Sequence, residues 1–380
     1  MRVLMSCGGT GGHIYPAVAI AEILKELEPG VEISFAGGLG GMEERIVEKE
    51  GYPFYGFRVE GFIRSASPRH WAGNLRAALD AVRSPGQARK LLLKLKPDLV
   101  VGTGGYACWP ALSAAAKLGI PVAVHESNVE PGLAVQKLSG HMSRIYVNFE
   151  ETVSRILERE RVLRVGIPVR SRFATADRES ARQALGLKDG QILILSFGGS
   201  GGAEYLNEAI LKMIDGFTRH RPDILHIHAA GNRTGVYEAM IDSAREKGLA
   251  DLPNVRICRF IDNMPDVMTA ADVVISRAGA MTISELALSR KCSILVPSPY
   301  VAGQHQFKNA QALEQKGAAV VIYTKDERDF TGAEFISEVK RLLDDETLRE
   351  SMKRNIASFV LPDANRRIGE DLLKILKNTT

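Results

Sequence analysis

Only four cysteines occur in 380 residues, and Cys7, Cys108, Cys258 and Cys292 lie far apart, mostly in apolar runs. They make no C-x-x-C pair and no Cys/His ligand spacing. Neither a disulfide framework nor a zinc site is supported, which leaves buried free thiols in a reducing compartment. No apolar run approaches the ~18 residues of a spanning helix, and the one after Met1-Arg2 is too short for a signal peptide. The expected location is the cytoplasm or the inner surface of a membrane. A net charge of +4 is too small to argue for nucleic acid. Low-complexity segments are absent, and so is an Asp-x-Asp metal motif.

Three glycine turns at the ends of apolar runs stand out instead. Val3 to Met5 reads as a strand that breaks into Gly8, Gly9, Thr10, Gly11, Gly12 and His13, with a helix following from Pro16 through Leu24. Such a turn leaves backbone N–H groups unpaired at a helix N-terminus, and with the helix dipole they form a site for an anion such as a diphosphate. A Cβ would block both the turn and the close approach of a ligand. Gln191–Phe197 repeats the device, running into Gly198-Gly199-Ser200-Gly201-Gly202 and a helix from about Ala203. Pro97–Gly102 runs into Thr103-Gly104-Gly105-Tyr106. Neither long glycine turn fits the P-loop, and the spacing departs from G-x-G-x-x-G, which disfavours nicotinamide binding.

Apolar residues make up 45% and charged residues 25%, so 380 residues suffice for two domains with their own cores. Strand and helix patterns alternate throughout, which predicts parallel sheets with helices on both faces. The repeated glycine device predicts an α/β chain of two Rossmann-like, doubly wound halves facing each other across a cleft. Residues 1–165 form the first domain, 166–360 the second, and 361–380 a C-terminal helix free to pack back on the first. Between Arg58 and Lys96, nine basic residues face only Glu60 and Asp80, interleaved with Phe62, Ile63 and Trp71. This predicted helix pair is either a solvated cover of the sheet or a surface for anionic lipid.

Several residues at strand ends carry potential chemistry. His13 ends the first glycine cradle, and His125-Glu126 sits at the ligand edge of a parallel sheet. A lone histidine at such a place is more often a cap than a base. In Ser276–Glu285, small residues permit close approach, Thr282 can donate to a phosphate, and Glu285 can accept from two ribose hydroxyls. The plainer alternative for Glu285 is an acid stabilised by the helix dipole. Arg170 and Lys308 are candidates for neutralising a diphosphate.

These motifs together resemble the peptidoglycan N-acetylglucosaminyltransferases, the MurG type of GT-B glycosyltransferase. The resemblance runs through Gly8–Pro16, Gly102–Tyr106, His125-Glu126 with Asn128, Pro131-Gly132, Gly166 with Pro168–Arg170, Gly198–Gly202, Ser276–Glu285, and His305-Gln306 with Asn309-Ala310. It implies transfer of N-acetylglucosamine from UDP-N-acetylglucosamine to undecaprenyl-diphosphoryl-N-acetylmuramoyl-pentapeptide, with inversion, at the cytoplasmic face of the bacterial membrane. It places the donor against Arg170, Ser200, Gly201, Asn207, Ile261, Ala280, Met281, Thr282, Glu285, His305 and Gln306, with Thr10, Gly11, Gly12 and Asn128 contributing from the other half. The acceptor diphosphate falls to Gly9, Thr10, Gly11, Gly12, His13, Gly104, Gly105 and Tyr106. His13 is the first candidate base, with His125 and Glu126 as a rival or supporting pair. No cofactor is obligatory, a divalent cation being at most an auxiliary counter-ion. An anionic membrane surface and other cell-wall synthesis proteins complete the expected partners. Gly201, Ile167 and Ser127 depart from the family pattern, standing where glutamine, asparagine and glutamine are usual. The rival readings are a lipid glycosyltransferase of the same fold acting on diacylglycerol, and a non-catalytic nucleotide-sugar sensor.

Overall fold

The apolar run at the start of the chain becomes an interior strand of a seven-stranded parallel sheet. A computed structural model describes the chain apart from residues 60–70, 170–171, 302–303, 325–331, 362 and 379–380, and apart from the side chains of 71–82 and 174. Two units emerge, Met1–Arg170 with Leu361–Thr380, and Ser171–Val360.

In the first unit the strands are β1 (Arg2–Ser6), β2 (Glu32–Gly38), β3 (Phe54–Phe57), β4 (Leu99–Gly102), β5 (Val122–Glu126), β6 (Arg144–Val147) and β7 (Val162–Arg164). They lie in the order β3-β2-β1-β4-β5-β6-β7, all parallel. β4 and β5 are buried along their whole length, as expected of parallel strands covered on both faces. The helices are α1 (Gly11–Leu27), α2 (Met42–Lys49), α3 (Trp71–Leu95), α4 (Trp109–Leu118), α5 (Leu133–Leu138) and α6 (Glu150–Val153). Ile14, Val18 and Leu24 of α1 pack one face, and Ala88, Leu92 and Leu112 of α3 and α4 the other. The chain's last helix, Ala364–Lys377, joins α1 by burying Ile368, Leu372 and Leu376, one turn apart along one stripe. Gly369 permits the close crossing, since a Cβ there would stand 2.9 Å from Leu27 Cδ1. Asp371 then accepts from Arg144 Nε at 2.8 Å and from the Tyr146 hydroxyl at 2.9 Å.

Six parallel strands build the second unit: β8 (Ile192–Phe197), β9 (Ile224–Ala229), β10 (Val255–Cys258), β11 (Val273–Ser276), β12 (Cys292–Leu295) and β13 (Val320–Val321), ordered β10-β9-β8-β11-β12-β13. Around them run α7 (Arg172–Thr175), α8 (Arg178–Ala184), α9 (Glu204–Gly216), α10 (Val236–Glu246), α11 (Met264–Ala270), α12 (Ala280–Leu288), α13 (His305–Glu314), α14 (Ala333–Asp344) and α15 (Glu346–Ala357). In each sheet the winding reverses once, between β1 and β4 and between β8 and β11. Loops leaving those neighbouring strands diverge and open a crevice at the carboxyl edge. The three glycine turns singled out from the sequence leave β1, β4 and β8, and the Ser276–Glu285 stretch leaves β11.

Two expectations change. α1 begins at Gly11, not Pro16, because Thr10 is already extended (φ −151°) and starts the helix as its N-cap. His13 therefore lies in the first helical turn. The expected helix pair before Lys96 is, in its described part, the single helix α3, which continues through Pro85.

Candidate active site

At the first reversal the turns after β1 and β4 interlock. Gly9 adopts φ +85°, and Thr10 offers no side-chain cap to the first turn of α1, where the His13 N–H donates to the Thr10 carbonyl at 3.0 Å. Thr10 Oγ1 lies instead 3.2 Å from His13 Nδ1. Gly104 and Gly105 have φ +104° and +84°. A Cβ on Gly104 would stand 2.6 Å from His13 Cδ2, and one on Gly105 2.1 Å from the Gly8 carbonyl oxygen. The Thr103 hydroxyl donates to the His13 carbonyl at 2.6 Å. Tyr106, half exposed, flanks Gly9. The structure thus brings Gly9–His13 and Gly104–Tyr106 together as one cradle.

Glu43 escaped the sequence reading. It is 1% exposed, yet its carboxylate accepts from Gly38 N–H at 2.8 Å and Gly9 N–H at 3.3 Å, tying the exits of β2 and β1 together. Gly8 is glycine because a Cβ would lie 2.4 Å from Glu43 Oε1. In the sequence Glu43 is only an acid in the first turn of a helix, a common and uninformative placement.

At the end of β5, His125 is fully buried, with Nε2 donating to the Gly166 carbonyl at 2.7 Å and Nδ1 accepting from Ser127 at 3.3 Å. Burial pushes it down to about 4, the Gly166 carbonyl opposing and nearby His13 adding to the shift. Glu126 accepts from Asn128 N–H at 3.0 Å, Asn128 Nδ2 at 3.2 Å and Gly132 N–H at 2.7 Å. Burial raises its carboxyl, and those donors pull it back. These two side chains brace the turn that carries Asn128. Cys108 donates to the Ser6 and Gly104 carbonyls, and burial pushes its thiol up to about 12.

In the second unit the turn Gly198–Gly202 bears Gly199 at φ +90° and Gly202 at φ +80°. Gly202 lies against the backbone of Ala230–Gly231, where a Cβ would stand 2.1 Å from the Ala230 oxygen. Among the described residues nothing lies within 4 Å of a Cβ built on Gly201, so the glutamine usual there would meet open space. Beside this turn, β11 delivers Gly279 as the N-cap of α12, again without a side-chain cap. Ala280 and Met281 are buried in the first turn. Thr282 Oγ1 stands 3.7 Å from a Cβ built on Gly279, and Glu285 is 9% exposed one turn on. Asn309 ties α13 to this loop by donating to the Ala278 carbonyl at 3.3 Å, and Gln306 Oε1 accepts from Ser298 N–H at 2.9 Å. His305 opens α13, and Ile261 sits 6% exposed in the core behind β10. Asn207 turns both ends of its amide to its own chain, toward His228 and Ala230. Arg170 lies outside the described residues, and Thr10–Gly12 and Asn128 belong to the first unit.

In each unit a glycine-rich turn and a helix N-terminus without a side-chain cap meet at a switch point, an arrangement suited to an anion. Models of the glycosyltransferase family 28 N-terminal and C-terminal domains match residues 3–147 and 193–368. Over 381 residues, all of this chain and 99% of the relative, it is 39% identical to the UDP-N-acetylglucosamine--N-acetylmuramyl-(pentapeptide) pyrophosphoryl-undecaprenol N-acetylglucosamine transferase of Acetivibrio thermocellus. The protein of the same description from Bacillus cytotoxicus is 37% identical over 377 residues, 99% of this chain and 100% of the relative. The crystal structure of MurG from Acinetobacter baumannii superposes with a TM-score of 0.70 at 28% identity, covering 98% of this chain and 99% of that one. Two Rossmann-like parallel-sheet domains, matched along their length in this way, place the chain in glycosyltransferase family 28, among its MurG-type members.

Proposed function

We infer that the chain moves N-acetylglucosamine from UDP-N-acetylglucosamine to the C4 hydroxyl of undecaprenyl-diphosphoryl-N-acetylmuramoyl-pentapeptide, converting lipid I to lipid II in peptidoglycan synthesis. The observation that carries this is the full-length likeness to relatives of that printed activity, joined to a separate diphosphate cradle in each unit. Both substrates carry a diphosphate, so two cradles match the reaction's needs. A diacylglycerol acceptor would leave the first cradle without a ligand.

In this reading residues 1–165 hold the acceptor and 166–360 the donor. The acceptor diphosphate lies on the first turn of α1 and on Gly104–Tyr106. UDP lies on Ser200, Gly201, Ala280, Met281 and Thr282, with Glu285 on the ribose and Gln306 toward the sugar. The C4 oxygen attacks C1 of the sugar as the bond from C1 to UDP breaks, inverting that carbon. In the tautomer whose Nδ1–H donates to Thr10, Nε2 is the basic nitrogen that takes the hydroxyl proton. His125 and Glu126 support it by bracing the β5 exit. Backbone donors and helix dipoles neutralise the departing diphosphate, with a divalent cation as an auxiliary counter-ion only.

No helix among the described residues is long and apolar enough to cross a membrane. A peripheral seat on an anionic membrane surface is supported by exposed Arg83, Arg89, Lys90, Lys94 and Lys96 along and just after α3. Nearby an apolar cavity of about 410 Å³ is lined by Pro85, Trp109 and Leu138. Phe62, Ile63, Arg64 and Arg69 lie outside the described residues, as do the side chains of Trp71 and Arg76. Incubating purified protein with labelled UDP-N-acetylglucosamine and either a lipid I analogue or diacylglycerol tests the function. Transfer to the lipid I analogue is expected, and transfer only to diacylglycerol refutes the reading. His13→Ala should abolish turnover while UDP still binds; retained turnover removes His13 as the base.

A further inference from the structure

Beneath the Gly198–Gly202 turn runs a row of buried polar side chains whose hydrogen bonds all point one way. Thr218, His226, Ser196 and His228 are 0% exposed, and Asn207 is 3% exposed. The direction is set from one end. Asn207 Nδ2 donates to the Ala230 carbonyl at 2.9 Å, so its Oδ1 faces His228 Nε2 at 3.1 Å and accepts. The His228 proton is therefore on Nε2, and Nδ1 accepts from the Ser196 hydroxyl at 2.7 Å. With its proton committed, Ser196 accepts from His226 Nε2 at 2.8 Å, and His226 Nδ1 accepts from the Thr218 hydroxyl at 3.3 Å. Asn254 Nδ2 anchors the far end by donating to the Thr218 carbonyl at 2.9 Å. Each ring has one donating and one accepting nitrogen, so both histidines are neutral and each holds a single tautomer.

The row ends on the backbone that shapes the donor turn. Ala230 is followed by Gly231, whose Cα lies 3.0 Å from a Cβ built on Gly202, and by Asn232, whose N–H donates to the Ser200 carbonyl at 2.8 Å. With no slack between Gly202 and Ala230, a displacement of Ala230 passes to Ser200. We propose that His228 is a positioning residue for the donor site, holding Asn207 and through it the Ala230–Asn232 backbone that sets the phosphate-binding turn. Asn207 then acts on the nucleotide through that backbone. The proposal deepens the function inferred above and rests on its donor site.

Steady-state kinetics with UDP-N-acetylglucosamine and a lipid I analogue test it. His228→Leu should raise the KM for UDP-N-acetylglucosamine about tenfold, the scale of one lost buried hydrogen bond, while the acceptor KM stays within about twofold. His228→Gln, whose amide N–H reaches Asn207, should restore most of the loss. Equal rises in both KM values, or no rise in the donor KM, overturn the proposal. Should His228→Leu fail to fold, nitrogen chemical shifts of the unaltered protein read the arrangement directly. Both imidazoles should be neutral with the proton on Nε2, and a proton on Nδ1 of His228 overturns the proposal. If the unaltered protein fails to glycosylate the lipid I analogue, the acceptor assignment falls, whereas calorimetric UDP affinity in the same variants still decides the role of His228.

Discussion

Acid should destabilise the second unit before its carboxylates titrate. Burial pushes His226 and His228 down to about 3, from the ordinary 6.5. Between those values the unfolded chain binds protons that the folded chain refuses, so stability rises with pH there and is lost as pH falls below about 6.5. At about pH 5 each histidine is roughly 1.5 units below its unfolded pKa, a loss of about 2 kcal/mol each at about 1.36 kcal/mol per unit. Together they remove about 4 kcal/mol, a large share of the 5–15 kcal/mol typical of a domain, and lower the melting point by about 10 °C. Asp177, Asp223 and Glu238 have lowered carboxyls and act only below their unfolded values near 4. Lys291, pushed down to about 7 by burial, adds a slope of the same sign above that pH. The window from about pH 6.5 to 5 belongs to the two histidines.

Trp71 and Trp109 both lie in the first unit, so tryptophan emission reports that unit alone. Hydrogen exchange of β8 and β9 amides reports the second. Their protection should fall by about 4 kcal/mol between about pH 7 and 5, and the fall should vanish in a His226→Gln, His228→Gln double variant. Protection independent of pH over that range, or an equal fall in the double variant, refutes the reasoning. The first unit should respond less steeply, because His125, down to about 4, carries the same sign while the raised carboxyl of Glu126 carries the opposite one.

The Gly198–Gly202 turn separates open from occupied space. Gly201→Gln should leave the KM for UDP-N-acetylglucosamine unchanged or lower it, since no described residue comes within 4 Å of a Cβ built there. Gly202→Ala, at φ +80° and against the Ala230 oxygen, should raise it tenfold or more, given about 1–3 kcal/mol of backbone strain. Similar effects from the two changes would contradict the geometry. Glu43→Gln puts an amide N–H2 against backbone donors, which costs about 1–3 kcal/mol of stability. It should raise the acceptor KM and spare the donor KM; unchanged values for both remove Glu43 from the cradle. Replacing Arg83, Arg89, Lys90 and Lys94 with glutamine should weaken sedimentation with anionic vesicles by about two to three orders of magnitude at about 1 kcal/mol per charge. UDP binding should stay intact, and undiminished sedimentation would make this face merely solvated.

Much of the architecture was legible because its cause is local. Parallel strands covered on both faces need continuous apolar runs, and the runs marked at Val3–Met5, Pro97–Gly102 and Gln191–Phe197 coincide with β1, β4 and β8 to within two residues at either end. Glycine turns were legible for the same reason, since a positive φ or a close approach leaves its mark at the glycine itself. What fills the space beside each glycine is a long-range fact. Nothing near Gly8 in the sequence names Glu43, and nothing near Gly202 names Ala230. The start of α1 was misplaced because Pro16 has the look of a first-turn residue, while the true N-cap, Thr10, makes no side-chain cap. The histidine row did leave a trace. In Ile-Leu-His226-Ile-His228-Ala the two histidines alternate inside an apolar strand, so the period of two puts both on one face. Two such polar rings on one buried face must find hydrogen-bond partners on the neighbouring strand, and Ser196 is the hydroxyl on β8 that meets both. Alternation in a buried strand is thus a local mark of such a polar network, one that the motif reading passed over, and the partner that links it to Ala230, Asn207, comes from a helix whose packing the local pattern does not encode.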